Sequence, residues 1–351
     1  MNEQARNDAG AKKTMNKGTK VLLIIVCVLV GIAVLMAAAV LILNAIGRSA
    51  MTDDGGSIDL AAANPQAFEA VGTGTVRYNG KLYRYNDDIS CILLMGVDEY
   101  QKSEQSYYGN AHQSDVNVLA VLDPRNEKLT LISVSRDIMC ELEMLDSEGN
   151  FIGTGNAQLA LAYSYGDGGD VSCQLTSKAA SKIFYGLNIP AYASIYMQGI
   201  ADLVDTVGGI SVTPSENFNG FAAGQQVELH GSLTEQYIRF REHDIEGNNR
   251  RMERQKQVLM ALVYKGLASA RENPASILDI YGSVKENVTT NINAAMMVYL
   301  ARQAIKLDFD GQIHNVPGHS ELGEQNHAVY VVDEEAFLAM IMDIFYDPVE
   351  Q

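Results

Sequence analysis

The chain has 351 residues, a formal net charge of −17 and a hydrophobic content of 47%. This length is enough to bury a sizeable core in one large domain or two modest ones, and the composition is that of a globular protein. The acidic balance argues against binding to nucleic acid and against general attraction to anionic lipid. Any site for a phosphorylated ligand must therefore be a local concentration of positive charge.

A long apolar segment near the N-terminus is typical of a membrane anchor. Residues 21–43 carry no charged side chain, and a helix of that length crosses a hydrocarbon core about 30 Å thick. Lysines precede the segment and aspartates follow it, so residues 1–20 are predicted to be cytoplasmic and the bulk of the chain extracytoplasmic. The alternative is a cleaved signal peptide, whose apolar region is usually about 7 to 15 residues long. We predict a single-pass protein of the cell membrane.

The next segments in chain order are a spacer and the start of a folded domain. Residues 44–75 are rich in small and polar side chains and are predicted to form an extracytoplasmic spacer. Residues 76–351 are predicted to form the domain, and the Asn79-Gly80 pair between apolar and aromatic residues predicts a hairpin near its beginning.

The rest of the domain alternates between strand and helix patterns. Strands are predicted at residues 89–96, 116–122, 129–135, 192–197, 210–213 and 313–316, and helices at residues 172–187, 198–207, 251–270, 292–307 and 333–346. We expect an α/β fold in which a central mixed β-sheet is sandwiched by helices, with a mostly helical C-terminal part and the transmembrane helix in front.

Three cysteines lie in the predicted extracytoplasmic part, namely Cys91, Cys140 and Cys173. This number is far too small for a disulfide-rich scaffold. At most one disulfide bond can form among them, and the sequence does not identify the pair. The alternative is three buried free thiols.

Several common catalytic motifs are absent from the sequence. It contains no Gly-x-Ser-x-Gly, no His-Glu-x-x-His and no Walker-type Gly-x-x-x-x-Gly-Lys-Ser/Thr. The six histidines are scattered without the spacing of metal ligands. Serine hydrolases, zinc peptidases and P-loop enzymes are therefore excluded as interpretations.

Charged residues lie at the ends of three predicted strands. Asp98 follows the first, Asp115 precedes the second, and Arg136 and Asp137 follow the third. If these strands are neighbours in an open sheet, the side chains converge on a crevice where α/β folds usually bind ligands. Two carboxylates so placed repel each other unless a divalent cation such as Mg²⁺ bridges them to phosphate oxygens. The alternative is that each aspartate only caps a turn.

A second group of charges consists of five arginines within sixteen residues. They are Arg239, Arg241, Arg250, Arg251 and Arg254. Arg239 and Arg241 share a face of an extended segment, and Arg251 and Arg254 share a face of a helix. Arginine keeps its charge and pairs with phosphate through two hydrogen bonds, so a diphosphate would offset the mutual repulsion. The alternative is a solvated face with interspersed acidic counterions.

The charged motifs occur in a fixed order within residues 89–266. They are Ile-Leu-Leu-Met-Gly-Val-Asp98, Ser114-Asp115, Ser133-Val-Ser-Arg136-Asp137, Leu203-Val-Asp205-x-x-Gly208-Gly209, Arg239-x-Arg241 and Arg251-x-x-Arg254-Gln255. This ordered set resembles the LytR-CpsA-Psr family, whose members attach wall teichoic acids, capsules and related polymers to peptidoglycan. The predicted anchor agrees with that family in position and orientation.

The resemblance implies a reaction and a set of site residues. Asp98 and Asp115 would hold Mg²⁺ (or Mn²⁺) against a polyprenyl pyrophosphate whose tail lies in an apolar channel between sheet and helices. The diphosphate would be bound by Arg136, Arg239, Arg241, Arg251 and Gln255. A peptidoglycan hydroxyl would attack the glycan-side phosphorus and lipid phosphate would leave. Arg136 and Asp137 would be catalytic, Asp137 either as the base or as the group that holds Arg136.

Four positions depart from the family's pattern. Gln113 stands where the family has arginine, Glu99 where it often has a cation, Ala160 where it has asparagine and Asn248 where it has aspartate. Because the change at Gln113 removes a phosphate-facing cation, two other functions stay open. One is a catalytically weak protein that binds lipid-linked precursors or regulates remodelling of the cell envelope. The other is a polyprenyl-pyrophosphate pyrophosphatase that uses water as acceptor.

Overall fold

The computed structural model of the protein describes residues 36–52, 58–97, 99, 108–109, 111–240, 247–273, 275–323 and 327–349. The helices are α1 (described over residues 36–51), α2 (Leu60–Ala63), α3 (Ala160–Ser164), α4 (Asp170–Ile183), α5 (Met197–Thr206), α6 (Gly231–Arg239), α7 (Gly247–Glu272), α8 (Ser276–Val284), α9 (Ala294–Ala304) and α10 (Glu334–Phe345). The strands are β1 (Phe68–Gly72), β2 (Thr75–Tyr78), β3 (Lys81–Tyr85), β4 (Ser90–Val97), β5 (Ser114–Asp123), β6 (Lys128–Ser133), β7 (Met139–Leu145), β8 (Phe151–Gln158), β9 (Ala191–Tyr196), β10 (Ile210–Val212), β11 (Val227–Leu229), β12 (Val288–Thr290), β13 (Asp308–Asn315), β14 (Gly318–Leu322), β15 (Ala328–Val332) and β16 (Tyr346–Pro348).

A six-stranded mixed sheet forms the centre of the fold. Its strand order is β12-β9-β4-β5-β6-β13, with β4 parallel to β9, β6 parallel to β13 and the other neighbours antiparallel. The central strands β4 and β5 are rich in apolar residues, and most of their residues are buried. Strands of this kind belong in the middle of a sheet that is covered on both faces.

Helices cover both faces of this sheet. On one face Val121 of β5 lies in the same apolar cluster as Phe337 of α10 and residues of α4. On the other face Val118 of β5 lies in a cluster with Met296 and Tyr299 of α9. The strand period of two sends alternate side chains of β5 to opposite faces, which supplies both clusters. The predicted α/β/α arrangement is therefore the one observed.

The predicted elements agree with the observed ones to within about five residues at each end. The predicted hairpin joins β2 to β3, and Asn79 and Gly80 have φ of 48° and 75°, the left-handed conformation that a tight hairpin turn requires. Two other hairpins, β7–β8 and β14–β15, were not predicted. Gly153 and Gly155 interrupt the pattern of β8, so alternation gave no clear strand signal there.

The predicted spacer, residues 44–75, is instead built into the domain over its described residues. At Gly47 of α1 a Cβ atom would come 2.1 Å from the carbonyl oxygen of Ala295 in α9, so the two helices are in close contact. Met51 is buried, and β1 pairs with β2. Small residues allow close packing as readily as flexibility, and composition alone does not distinguish the two. The folded part therefore includes residues well before residue 76.

The predicted membrane span, residues 21–43, lies mostly outside the described residues. Its last part, residues 36–43, belongs to α1 and is exposed. Among the described residues no helix is long and apolar enough to cross a membrane.

The three cysteines of the domain are free thiols. Cys91, Cys140 and Cys173 are all buried, and none of the three forms a disulfide bond. Burial raises the pKa of Cys140 to about 11, so this thiol stays protonated at neutral pH. Of the two alternatives that the sequence left open, buried free thiols are the one observed.

Helix α10 supplies a test of the core. Phe337 is 1% exposed, and its ring centroid lies 5.1 Å from that of Phe184, the residue that follows α4. We expect Phe337→Ala to lower the free energy of unfolding by about 3 to 5 kcal/mol, because it removes buried apolar surface and leaves a cavity. Urea unfolding of the full chain in detergent, followed by circular dichroism, measures the change. Ile305→Ala is the control at a 42% exposed position, and an equal loss in both variants would contradict the assignment.

Candidate functional site

Several strand ends meet at one edge of the central sheet. β4 and β9 end at this edge, β5 begins there, and the chain leaves β6 there. A β-bulge interrupts the pairing of β5 with β4, so that Asp115 is one extra residue between Ser114 and Val116. A bulge releases its extra residue from strict alternation and re-aims its side chain. The carboxylate of Asp115 is thereby directed to residues outside the sheet.

Two arginines share the Asp115 carboxylate. Nη1 of Arg136 donates to Oδ1, and Nη2 of Arg251 lies 3.8 Å from Oδ2. Nη2 of Arg136 also donates to Oε1 of Gln113 at 2.7 Å. The Asp115 side chain is only 13% exposed, so these contacts are partly shielded from water. Segments at the start of β5, after β6 and in the first turns of α7 thus meet, as the sequence predicted for Asp115, Arg136 and Arg251.

Asp137 lies beside this cluster. Its Oδ1 is 3.6 Å from Nε of Arg136 and accepts a hydrogen bond of 3.1 Å from Nε2 of Gln158. Burial raises the pKa of Asp137 above its usual value, and the positive charge of Arg136 opposes that rise. A carboxylate with a raised pKa is a better proton acceptor. The geometry is compatible with both predicted roles, as the base and as the partner of Arg136.

A partly buried carboxylate, Glu216, holds two other arginines of α7. Nη1 of Arg254 donates to its Oε1, and Nε of Arg250 lies 2.8 Å from its Oε2. Glu216 follows β10 in a loop, and nothing in its sequence context signalled this role. Its charge offsets the repulsion between two neighbouring cations on α7. Arg251, between them in sequence, pairs with Asp115 instead.

Arg254 is a structural residue. It is 1% exposed, and its Nε and Nη2 donate to the carbonyl oxygens of Tyr237 and Phe240 at the end of α6. Burial lowers its pKa below the usual arginine value. Arg251 and Arg254 are three residues apart in α7 and so lie on the same side of the helix, as predicted, but their guanidinium groups have different partners, Asp115 for Arg251 and Glu216 with the α6 carbonyls for Arg254.

The other predicted ligands are placed less centrally. Arg239 lies in the last turn of α6 and not in an extended segment; its Nη1 pairs with Oε1 of Glu235 at 2.9 Å and its side chain is 54% exposed. The predicted metal ligand Asp98 and the predicted diphosphate ligand Arg241 lie outside the described residues.

An apolar cavity of about 450 Å³ lies between the sheet and the helices on one side of it. Strands β4, β5, β9 and β12 and helices α5 to α9 contribute to its lining. The apolar lining residues include Leu94, Val116, Val118, Ala193, Ile195, Ile200, Leu203, Val258, Leu259, Leu262, Met297 and Leu300. The volume is within the range of about 300 to 1,000 Å³ that is typical of ligand pockets. Its position is that of the apolar channel that the family resemblance implied.

Two residues of the cavity lining are close in sequence to the charged cluster. Val116, which follows Asp115, lines one wall, and Gln255, one turn after Arg251 on α7, lines another. Residues four apart lie on the same face of a helix, so Gln255 stands between the arginine and the apolar lining. Residues that are close in sequence to Asp115 and Arg251 therefore line a cavity that is otherwise apolar.

The cluster contains one of the two carboxylates predicted to hold a metal ion. Within the described residues, no group of three or more His, Cys, Asp and Glu side chains is arranged to hold a metal ion. Mg²⁺ in phosphate sites is usually bound through one or two carboxylates, phosphate oxygens of the substrate and water. The hard oxygen donors of Asp115 are of the type that such an ion prefers, and here they pair with Arg136 and Arg251.

This fold with its charged cluster and cavity is that of a known family. The LytR_cpsA_psr family matches residues 59–343, and the chain belongs to it. Among its relatives is the polyisoprenyl-teichoic acid–peptidoglycan teichoic acid transferase TagU of Oceanobacillus iheyensis, which is 28% identical over 269 residues, 73% of this chain and 75% of that protein. Biofilm regulatory protein A of Streptococcus mutans is 30% identical over 239 residues, 65% of this chain and 55% of that protein. The crystal structure of B. subtilis TagV has a TM-score of 0.55 at 25% identity, covering 73% of this chain and 96% of that one.

The buried position of Arg254 is testable against an exposed arginine. We expect Arg254→Met to lower the free energy of unfolding by about 3 kcal/mol, because Glu216 loses a buried partner and two carbonyl oxygens lose their donor. Arg239→Met is the matched control, since it removes an exposed ion pair worth at most about 1 kcal/mol. Urea unfolding of the full chain measures both variants. Equal losses would contradict the structural role of Arg254.

Proposed function

We propose that the protein is a membrane-anchored phosphotransferase that moves a glycopolymer, such as teichoic acid or capsule, from a polyprenyl-pyrophosphate carrier to peptidoglycan. The observation that carries the proposal is that Asp115, which pairs with Arg136 and Arg251, is directly followed by Val116 in the lining of the apolar cavity. A matching ligand needs phosphate joined directly to a long apolar chain, and a polyprenyl pyrophosphate has that form. The name of the TagU relative describes the same kind of transfer.

The diphosphate lies, in this proposal, against Arg136 and Arg251. Asp115 holds the two guanidinium groups at one place and offsets their repulsion, and arginine pairs with phosphate through two parallel hydrogen bonds. Gln255 can donate its amide to oxygens at the boundary between phosphate and tail. In this proposal Arg239 and Arg241 also bind the diphosphate. To do so, Arg239 releases its exposed ion pair with Glu235, which is worth at most about 1 kcal/mol.

We assign Asp98 and Asp115 as the carboxylates that hold Mg²⁺ (or Mn²⁺) beside the phosphates. The support is the oxygen donor set of Asp115 at the sheet edge where β4, the strand before Asp98, ends. When bound there, such an ion supplies neutralisation of charge on the phosphate oxygens.

The reaction is phosphoryl transfer. A hydroxyl oxygen of peptidoglycan forms a bond to the glycan-side phosphorus while the bond from that phosphorus to the bridging oxygen breaks, and polyprenyl phosphate leaves with the electron pair. Asp137 accepts the hydroxyl proton, a task that its raised pKa favours. Arg136 stabilises the charge that develops on the phosphate oxygens. This scheme needs no covalent intermediate with the protein.

The proposed location is the outer face of the cell membrane. Residues 21–43 form the transmembrane helix in this proposal, with the N-terminus in the cytoplasm and the domain outside. The support is the absence of charge from that segment and the exposure of apolar side chains of α1 such as Met36, Leu41 and Ile42. The anchor keeps the domain beside the membrane that contains the lipid carrier.

Arg136 is the first residue to test. We expect Arg136→Ala to reduce kcat about 100- to 1,000-fold, the usual effect of removing one donor to transition-state charge. The assay is Mg²⁺-dependent release of polyprenyl phosphate from a lipid-pyrophosphate glycan with peptidoglycan as acceptor. Arg77→Ala, which removes an exposed ion pair with Glu69, is the control and should keep full activity. An unfolded Arg136→Ala protein would make Arg136 structural, and an inactive wild-type protein would contradict the enzymatic function.

Occupation of the cavity is tested separately. Ala193 on β9 lines the cavity, and we expect Ala193→Phe to lower the amount of co-purified polyprenyl lipid about tenfold, because the ring fills space that the tail needs. Native mass spectrometry of the full chain measures the bound lipid. Ala223→Phe, at an exposed loop position, should retain it. Equal lipid in both variants would place the tail elsewhere.

The alternative functions differ in what happens to the bound lipid. Gln113 accepts a hydrogen bond from Arg136 and adds no cation, and one relative carries the name of a regulatory protein. These two observations favour a protein that binds the carrier without transfer. Bound lipid with no turnover would support that function. Release of polyprenyl phosphate in the absence of peptidoglycan would instead support a pyrophosphatase.

A further inference from the structure

Gln158 joins Asp137 to two β-hairpins. Its Nε2 donates to Oδ1 of Asp137 at 3.1 Å and to the carbonyl oxygen of Ala328 at 2.7 Å. A side-chain amide carries two N–H groups, so it can make both bonds at once. Gln158 is the last residue of β8 and Ala328 is the first of β15. One amide therefore connects the β7–β8 hairpin, the β14–β15 hairpin and the carboxylate beside the arginine cluster.

The main chain around Asp137 is held at three consecutive carbonyl oxygens. The bonds run from Ala160 N–H to Arg136 O at 3.1 Å, from Tyr330 N–H to Asp137 O at 3.0 Å and from Leu159 N–H to Ile138 O at 2.9 Å. Two of the three donors follow Gln158 directly in sequence, and the third lies in β15. Because the backbone is fixed in this way, the direction of the Asp137 carboxylate depends on its side-chain torsions, which the Gln158 amide restrains.

We propose that Gln158 is a positioning residue for the transfer: it holds the Asp137 carboxylate in the orientation that accepts the proton of the acceptor hydroxyl, and the β14–β15 hairpin in turn holds Gln158. This inference rests on the proposed function, because it assigns Asp137 its part in that reaction. The groups that face Asp137 are the Arg136 guanidinium, with Nε at 3.6 Å from Oδ1, and the Gln158 amide.

The role has a consequence for the pH dependence of transfer. Burial raises the pKa of Asp137, and the positive charge of Arg136 opposes that rise. Because a hydrogen bond donated to an ionised carboxylate favours ionisation, we expect loss of the Gln158 amide to raise this pKa further. Without the amide a higher pH is needed to deprotonate the base. The low-pH limb of the kcat profile then moves to higher pH, and part of the lost rate returns as the pH rises.

The test is Gln158→Ala in the full chain. We expect kcat to fall about tenfold at neutral pH, the usual effect of losing one hydrogen bond to a charged group. We also expect the KM for the lipid carrier to stay unchanged and the acid limb to move to higher pH. Gln158→Glu, which keeps the shape of the side chain but adds a negative charge beside Asp137, should move the limb further in the same direction.

Two other variants separate positioning from folding. Gln312→Ala, at an exposed position of β13, is the matched control and should leave kcat and the pH profile unchanged. Tyr330→Phe removes the hydrogen bond of 2.7 Å that the Tyr330 hydroxyl donates to the carbonyl oxygen of Val316, a bond that holds the β14–β15 hairpin. We expect this variant to lower kcat and shift the acid limb in the same direction as Gln158→Ala, but by less.

The outcomes are distinguishable. A shifted acid limb with unchanged KM and unchanged unfolding temperature supports the positioning role. A loss of rate that is equal at every pH, or an unchanged profile in Gln158→Ala, overturns that role while wild-type transfer leaves the proposed function intact. Absence of transfer by the wild-type protein overturns both.

Discussion

The carboxylate of Asp115, shared by Arg136 and Arg251, joins the edge of the sheet to helix α7. The β-bulge frees this side chain from the alternation of β5, and Val116, the next residue, is left to line the cavity. Because α7 supplies both Arg251 and much of the apolar wall, its docking at this point determines where charge ends and apolar surface begins. That boundary determines which kind of ligand the site can bind.

The arginines of helix α7 have two different roles, one in stabilising the fold and one at the proposed ligand site. Arg250 and Arg254 are paired with Glu216, and Arg254 also binds the backbone at the end of α6. Arg251 faces the sheet edge instead. A chain of net charge −17 can thus concentrate positive charge locally, because the partly buried Glu216 neutralises the two arginines that would otherwise repel Arg251.

The sequence predicted what depends on local pattern. Strands β4 and β5 are apolar enough to be recognised, and Asp115 and Arg136 lie at predicted strand ends that meet in space. Contacts between distant segments were not predictable: Glu216 sits in a loop with no motif, and Gln158 ends a strand that glycines obscure. The composition of residues 44–75 predicts a spacer, although α1 in this segment packs closely against α9. Composition does not reveal whether small residues are packed or mobile. Tertiary structure decides these cases.

The docking of α1 lies at the end of β4 opposite to Asp115. Arg48 of α1 pairs with Asp88, just before β4 begins, and β4 runs from Ser90 to Val97. At about 3.3 Å per residue, the strand separates the two ends by about 26 Å. Helix α9 contacts α1 and also lines the cavity. In the proposed anchored protein, the reacting diphosphate would therefore lie about one strand length away from the point at which α1 joins the domain.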